Sequence, residues 1–186
     1  KELLRMEGDN MLPTIEYLKE NSTGIYYFGL GFIQVKMGDD VRYIFYHPEL
    51  TPRFVEGEEI HTHPYDFKSE ILKGCLEEDL FDITPKAEGD WDFCKIDCKG
   101  SNEKLFPCRA NLDTVLFHLK GEVYERDYAR LHSVSTTEPT ITKITKGECY
   151  GKAFALMPKG KEECTPFIHE RHPQVCWDIV EEILKC

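Results

Sequence analysis

The chain lacks long hydrophobic runs, dense basic segments and a leading signal-peptide pattern. No apolar stretch approaches the roughly 20 residues that a helix needs to cross a bilayer, so we expect no membrane association. Acidic residues outnumber basic ones by 34 to 23, which gives a formal net charge of −11. Because nucleic-acid affinity depends largely on Lys and Arg side chains, this balance argues against a dense phosphate-binding surface. We therefore expect no nucleic-acid partner.

Closely paired cysteines are also missing. The eight cysteines are scattered along the chain, and no two of them form a CxxC pair. An even number permits disulfides, but without a secretion signal we expect reduced thiols and a cytoplasmic location. Cys94 and Cys98 are four residues apart with no second Cys or His pair beside them, so they indicate a zinc site only weakly.

Short strand-like segments dominate the sequence, which we expect to form a single domain over residues 1–186. The polar turn Gly38-Asp39-Asp40 predicts a hairpin between the first two segments. Because so little helix separates the segments, the pattern predicts an antiparallel sandwich or barrel. Residues 86–111 are interpreted as an insertion or a long excursion between two strand groups. The predicted strands are residues 24–37, 41–48, 76–84, 91–98, 112–120, 121–128, 140–145 and 150–158.

A helix is predicted at each end of the chain. The segment NMLPTIEYLKENSTG has Pro13 where a first-turn proline is tolerated, and Gly24 closes the helix. The second helix, at about residues 173–186, places Val175, Ile179 and Ile183 on one stripe. We expect this amphipathic helix to pack on the strands, and the alternative is that it binds a partner protein.

Two histidines stand one residue apart in IHTHPYDFKSEILKG, residues 60–74. On a strand, His61 and His63 would point to the same face, roughly 6.6 Å apart along the backbone. Two imidazoles at this spacing can close over one metal ion, each nitrogen about 2.1 Å from it. The alternative is an exposed polar face of the strand. His132, in GEVYERDYARLHSV, is a third candidate ligand.

These histidines carry a resemblance to the cupin superfamily. The first cupin motif is G-x5-HxH-x3,4-E-x6-G, in which His61, His63 and Gly74 match. The second is G-x5-P-x-G-x2-H-x3-N, in which Gly121 and His132 match. The resemblance covers residues 24–158. It implies an all-β antiparallel double-stranded β-helix, or jelly-roll barrel, with a metal ion at its centre and a homodimer formed through outer strands.

The motifs also depart from the cupin pattern. Phe67 occupies the position of the usual ligand Glu, with Asp66 one place off register, and Val55 replaces the leading Gly. A set of three histidines remains, which would leave coordination positions open for substrate, water or oxygen. In the second motif, the Pro, Gly and Asn are replaced by Asp127, Ala129 and Thr136.

Cupins that retain three histidines include the ferrous thiol dioxygenases. The resemblance therefore implies a divalent metal, with Fe(II) preferred over Ni, Mn or Zn, in a mononuclear non-haem iron oxidoreductase of the dioxygenase type. Its substrate would be a small polar molecule. The Ser-x-His-x-Tyr strand of the thiol dioxygenases has no counterpart around Thr140–Thr145, so cysteine is not assigned as the substrate.

Two other classes of function remain open. Some cupins are metal-dependent isomerases, epimerases or lyases, in which the ion polarises an oxygen while a base moves a proton. Others are non-catalytic and bind or sequester a small ligand. A protein partner held by the acidic surface and the final helix is a further alternative.

Five other side chains are candidates for the site. Arg42 and Tyr46 share one strand face, and an inward Arg suits an anionic ligand, although a salt bridge at the rim is the alternative. Ser69 shares the parity of Phe67 and is expected near the metal. Tyr128 and Arg130 share the parity of His132. The predicted catalytic residues are Tyr128 and Arg42, and the predicted substrate-binding residues are Ser69, Arg130 and Tyr46.

His118 lies in LDTVLFHLK, where its parity is opposite to that of Val115, Phe117 and Leu119. Strand alternation therefore places it either on the outer surface or among the polar groups of the interior.

Overall fold

The computed structural model describes residues 11–48, 50, 60–96, 102–161, 168–169 and 173–186. Val55, Cys98 and Cys164 lie outside the described residues, as do positions 97–101 of the predicted excursion. In chain order the elements are α1 (Ile15–Asn21), β1 (Gly24–Phe28), β2 (Phe32–Met37), β3 (Val41–Tyr46), β4 (Tyr65–Lys73), β5 (Cys75–Pro85), β6 (Trp91–Ile96), β7 (Asn102–Leu119), β8 (Val123–Arg126), β9 (Leu131–Ser135), β10 (Thr140–Cys149), β11 (Ala153–Pro158), β12 (Ile168–His169) and α2 (Pro173–Lys185).

Strands dominate the fold, and they form two antiparallel sheets. The larger sheet has the order β12-β1-β2-β3-β10-β4-β8, and the smaller has the order β11-β6-β7-β5-β9. The predicted all-β class is thus confirmed, with two short helices. The hairpin predicted around Gly38 is also present, because β2 and β3 pair with Met37 opposite Val41.

Two predicted segments differ from the structure. The segment 24–37 forms two paired strands, β1 and β2, because the chain turns at Gly31, whose φ is +87°. Residues 86–111 are not an excursion over the described part of the chain. They contain β6 and the first half of β7, which pair within the smaller sheet.

The helices cover the outer face of the larger sheet. Cys176, Val180 and Ile183 of α2 are buried in the same cluster as Leu18 of α1 and Phe45 of β3. The amphipathic C-terminal helix is therefore present and packs on strands, as expected. Its stripe is rotated from the predicted one, since Val175 in the first turn is 45% exposed. Among the described residues, neither helix is long and apolar enough to cross a membrane.

The inner faces of the two sheets pack against each other. Ile44 and Ile71 of the larger sheet form one buried cluster with Leu76 of the smaller sheet. Buried polar groups from the same strands share this interior, among them Ser69 of β4, Glu78 of β5 and His132 of β9. The interior is therefore a mixed apolar and polar space.

The last part of β7 has a row of apolar residues on its outer face. Val115, Phe117 and Leu119 are exposed, whereas His118 is buried. Of the two alternatives for His118, the structure therefore selects the interior one. A homodimer through an outer strand stays a prediction.

Candidate metal centre

Backbone hydrogen bonds hold the segment with the first two histidines between two strands. The N–H and C=O of His61 each bond to His132, at 3.0 Å, on β9. The N–H of Thr62 donates to the Phe154 carbonyl at 2.8 Å, and the Phe154 N–H donates to the Thr62 hydroxyl at 3.0 Å. This segment thus links β9 and β11, which are the edge strands of the smaller sheet.

The geometry of the pair differs in one respect from the predicted strand. Regular pairing of β4 begins only at Tyr65, because Pro64 has no N–H to donate to a ladder. The His61 and His63 rings nevertheless lie on one side, with centroids 5.0 Å apart, and Thr62 is buried on the other. The i, i+2 argument therefore predicted the side-chain directions correctly.

The third histidine completes the cluster. The ligand nitrogens of His61, His63 and His132 all lie within 4.8 Å of one another. The Nε2 atoms of His63 and His132 are 3.0 Å apart. Two nitrogens bound at right angles to one ion, each about 2.1 Å from it, are also about 3.0 Å apart. The three histidines could therefore hold one metal ion.

A buried carboxylate lies behind His132. Glu78 of β5 is completely buried, and its Oε1 accepts a hydrogen bond from His132 Nδ1 at 2.7 Å. Its Oε2 accepts from His118 Nε2 at 2.8 Å. The guanidinium of Arg126 donates to both carboxylate oxygens, from Nε at 2.9 Å and also from Nη2. The side chains of His132, His118 and Arg126 therefore all hydrogen-bond to the Glu78 carboxylate.

The Glu78 carboxylate is ionised in the folded protein. Burial alone would raise its pKa, but the hydrogen bonds from His118, His132 and Arg126 outweigh burial and hold the pKa far below its usual range. An ionised carboxylate only accepts, so the proton of His132 is on Nδ1. The lone pair of Nε2 is therefore directed towards His63, as metal ligation requires.

Sequence reasoning missed Glu78. A usable signal exists in LEEDL, where Glu78 shares the inward parity of Leu76 and Leu80, and all three are buried. A carboxylate between two core leucines requires a cationic or hydrogen-bonding partner. Neither the identity nor the position of those partners can be inferred from the local sequence.

His63 is neutral, and an aromatic ring covers it. Burial, followed by the neighbouring His61 and His132, holds the pKa of His63 well below 6.5. Phe67 contacts the His63 ring edge-on, with centroids 4.8 Å apart. An apolar wall therefore lies against His63, and the described donor set consists of imidazoles alone.

The predicted site residues Arg42, Ser69 and Tyr46 lie in the interior. The Arg42 guanidinium is 5.3 Å from the ring centroid of Tyr65, and that ring is 5.6 Å from the ring of His63. Ser69 is completely buried opposite Tyr124 on β8. Burial raises the pKa of Tyr46 far above its usual range, with the neighbouring Tyr124 and Glu78 adding to the effect. Tyr46 is therefore a neutral phenol.

Tyr128 and Arg130 lie elsewhere. They belong to a turn between β8 and β9, in which the Arg130 N–H donates to the Asp127 carbonyl, so strand parity does not extend to them from His132. The Tyr128 ring stacks on Tyr150 at 4.0 Å, and Arg130 pairs with two surface carboxylates, those of Asp82 and Asp113. Their roles in catalysis and substrate binding stay predictions.

A cleft of about 430 Å³ opens beside the cluster, and its lining includes Phe67, Arg126 and Lys146. Phe67 also contacts His63, and Arg126 also binds Glu78. The cleft therefore approaches the histidines to within one side chain. No family model matches this chain, and no curated protein is significantly similar to it.

Proposed function

We propose that this protein is a metal-dependent enzyme of the cupin type, in which His61, His63 and His132 hold one divalent ion. The observation that carries the proposal is the convergence of three imidazoles, with the Nε2 atoms of two of them at the separation of neighbouring ligands. The Glu78 carboxylate behind His132 supports it, because metal-binding histidines commonly donate their other N–H to such a group.

The ion we favour is Fe(II), and the reaction class we favour is oxidation of a small polar molecule by O2. Three imidazoles leave coordination positions open, and bound iron would supply the redox chemistry there. The chain's own residues set the surroundings: Glu78 orients His132, and Phe67 keeps water from one side of His63. Imidazoles also bind Ni, Mn and Zn, and with those ions an isomerase or lyase is the alternative.

The metal analysis that tests this proposal uses protein purified without chelator. We expect about one equivalent of a single transition metal in the wild type. His61→Ala and His132→Ala should each lose most of it, because two imidazoles hold an ion far less tightly than three. The control is His47→Ala, since His47 follows β3 and lies outside the cluster. Stoichiometry that is unchanged in both cluster variants would disprove the site.

The reaction class is tested after anaerobic reconstitution with Fe(II), Ni, Mn or Zn. We expect O2 consumption with small polar substrates only in the iron form, and no consumption in His63→Ala. Turnover supported by Zn or Mn without O2 would instead establish the isomerase or lyase alternative.

The jelly-roll closure and the cellular location are part of the same proposal. The link from β9 through residues 60–62 to β11 supports a barrel. The cytoplasmic location stays a prediction from the sequence.

A further inference from the structure

Three cations meet on the inner side of the larger sheet. Lys36 of β2 and Arg42 of β3 are direct cross-strand partners. Arg42 pairs across the other side with Ile144, and Lys146 lies two residues further along β10 on the same face. Like charges placed side by side on a sheet are destabilising. In a chain with a net charge of −11, such a concentration of positive charge calls for a counter-charge.

The described residues do not supply that counter-charge by direct ion pairing. Within the described part of the chain, no carboxylate forms an ion pair with Lys36, Arg42 or Lys146, whereas Lys143 does pair with Glu70. Arg42 donates instead to the neutral Gln34 Oε1 at 3.0 Å. Burial, then Arg42 and Lys36, lower the pKa of Lys146, although Asp39 and Asp40 oppose this effect.

Two of these cations, Arg42 and Lys146, are separated from the proposed metal centre by one aromatic ring. Arg42 and Lys146 flank the Tyr65 ring, with Cζ and Nζ at 5.3 and 5.1 Å from its centroid. Tyr65 also neighbours His63, at 5.6 Å between ring centroids. The three histidines are uncharged when they ligate, and the negative charge of Glu78 is offset by Arg126. The ion together with Arg42 and Lys146 would therefore give the site a net positive charge.

We infer that the substrate carries a carboxylate, which Arg42 and Lys146 bind at the mouth of the metal site while the rest of the molecule faces the ion. This inference rests on the proposed function for the ion but not for the cations. Arg42 donates from Nη1 to Gln34 and also hydrogen-bonds the Tyr65 side chain. Since a guanidinium has five N–H donors, others remain that can donate to a carboxylate oxygen. A neutral substrate would leave Arg42 and Lys146 without a carboxylate ion-pair partner among the described residues.

The test uses propionate and propionamide, which match in size and differ in charge. Calorimetric titration of the metal-loaded protein at constant ionic strength should show propionate binding at least tenfold more tightly. Arg42→Met should abolish this preference, and Lys146→Met should reduce it severalfold. The matched control is Arg109→Met, because Arg109 is exposed on β7 in the smaller sheet. It should leave the preference unchanged.

Equal affinities for the two probes in the wild type would overturn the inference, and this comparison needs no variant to fold. An unchanged preference in a folded Arg42→Met protein would also overturn it. Titration of metal-free protein separates this result from the proposed function. If the protein binds no metal but still prefers propionate in an Arg42-dependent way, the anion site is supported and the metal site is disproved. If the protein binds metal but has equal affinities for the two probes, the metal site is supported and the anion site is disproved.

Discussion

At the scale of single residues, Glu78 has the largest consequences in this structure. Its carboxylate is shared among His132, His118 and Arg126, so one buried acid fixes the orientation and tautomer of a ligand histidine. Removing one partner of such a buried charged network typically costs about 3–5 kcal/mol, because the other charges remain unpaired. Glu78 is therefore both a structural residue and a positioning residue for the site.

Glu78→Gln should weaken metal binding by about 10- to 100-fold, the usual effect of losing a carboxylate that supports a ligand histidine. The measurement is chelator competition with Zn. The control is Glu77→Gln, which alters the neighbour on the opposite face of β5. ¹⁵N NMR of His132 distinguishes a positioning role from a purely structural one. In Glu78→Gln, the proton of His132 should no longer be fixed on Nδ1. Equal Zn affinity in the two variants would contradict this role.

At the scale of elements, a turn at Gly74 joins β4, which carries Phe67, to β5, which carries Glu78. Gly74 closes this turn with φ +74°, a left-handed conformation that favours glycine. A Cβ at this position would collide with the Thr140 hydroxyl and the Pro139 carbonyl. The closing Gly of the first motif therefore has a steric reason in this chain.

Gly74→Ala should lower the free energy of unfolding by about 2–4 kcal/mol, which combines left-handed strain with overpacking. Gly38→Ala is the matched control, since its φ is +79° but a Cβ would meet nothing within 4 Å. We expect a loss of only about 1 kcal/mol there. Urea denaturation of both variants provides the measurement, and equal losses would show that the collision is relieved without cost.

β7 shows what strand periodicity can and cannot predict. Alternation correctly predicted that His118 faces away from Val115, Phe117 and Leu119, but it could not say which face is buried. The hydrophobic row is the outer one, because Glu78 on the neighbouring strand draws His118 inward. A residue on a neighbouring strand therefore determines which face of β7 is buried, and the sequence of β7 alone does not identify that residue.

At the scale of the whole molecule, two buried groups link stability to pH. The pKa of His63 lies below its ordinary 6.5. As the pH falls below 6.5, His63 becomes protonated in the unfolded chain but stays neutral in the folded protein, so the free energy of unfolding decreases. The pKa of Glu78 lies below its ordinary 4.5. Its stabilising contribution is complete above pH 4.5 and is lost as the pH falls below that value.

Metal-free protein should therefore lose stability in two stages on acidification, the first beginning near pH 6.5 and the second near pH 4.5. Each group contributes at most about 1.4 kcal/mol per pH unit. Denaturation in the presence of chelator, repeated from pH 7.5 to 3.5, tests this. His63→Gln should flatten the first stage and Glu78→Gln the second. A wild-type profile without slope between pH 6.5 and 5 would refute the assignment to His63.

The sequence by itself determined the strand-rich class, the hairpin at Gly38, the C-terminal helix and the shared direction of the His61 and His63 side chains. These follow from local rules: alternation along a strand, turn residues, helical periodicity and the shared face of residues i and i+2. Only the tertiary structure decided that Glu78, His118 and Arg126 stand behind His132, that Arg42 lies near His63, and that Arg130 pairs with Asp82 and Asp113. The physical reason is that such pairings depend on strand order and register, which bring together residues as distant as Glu78 and Arg126.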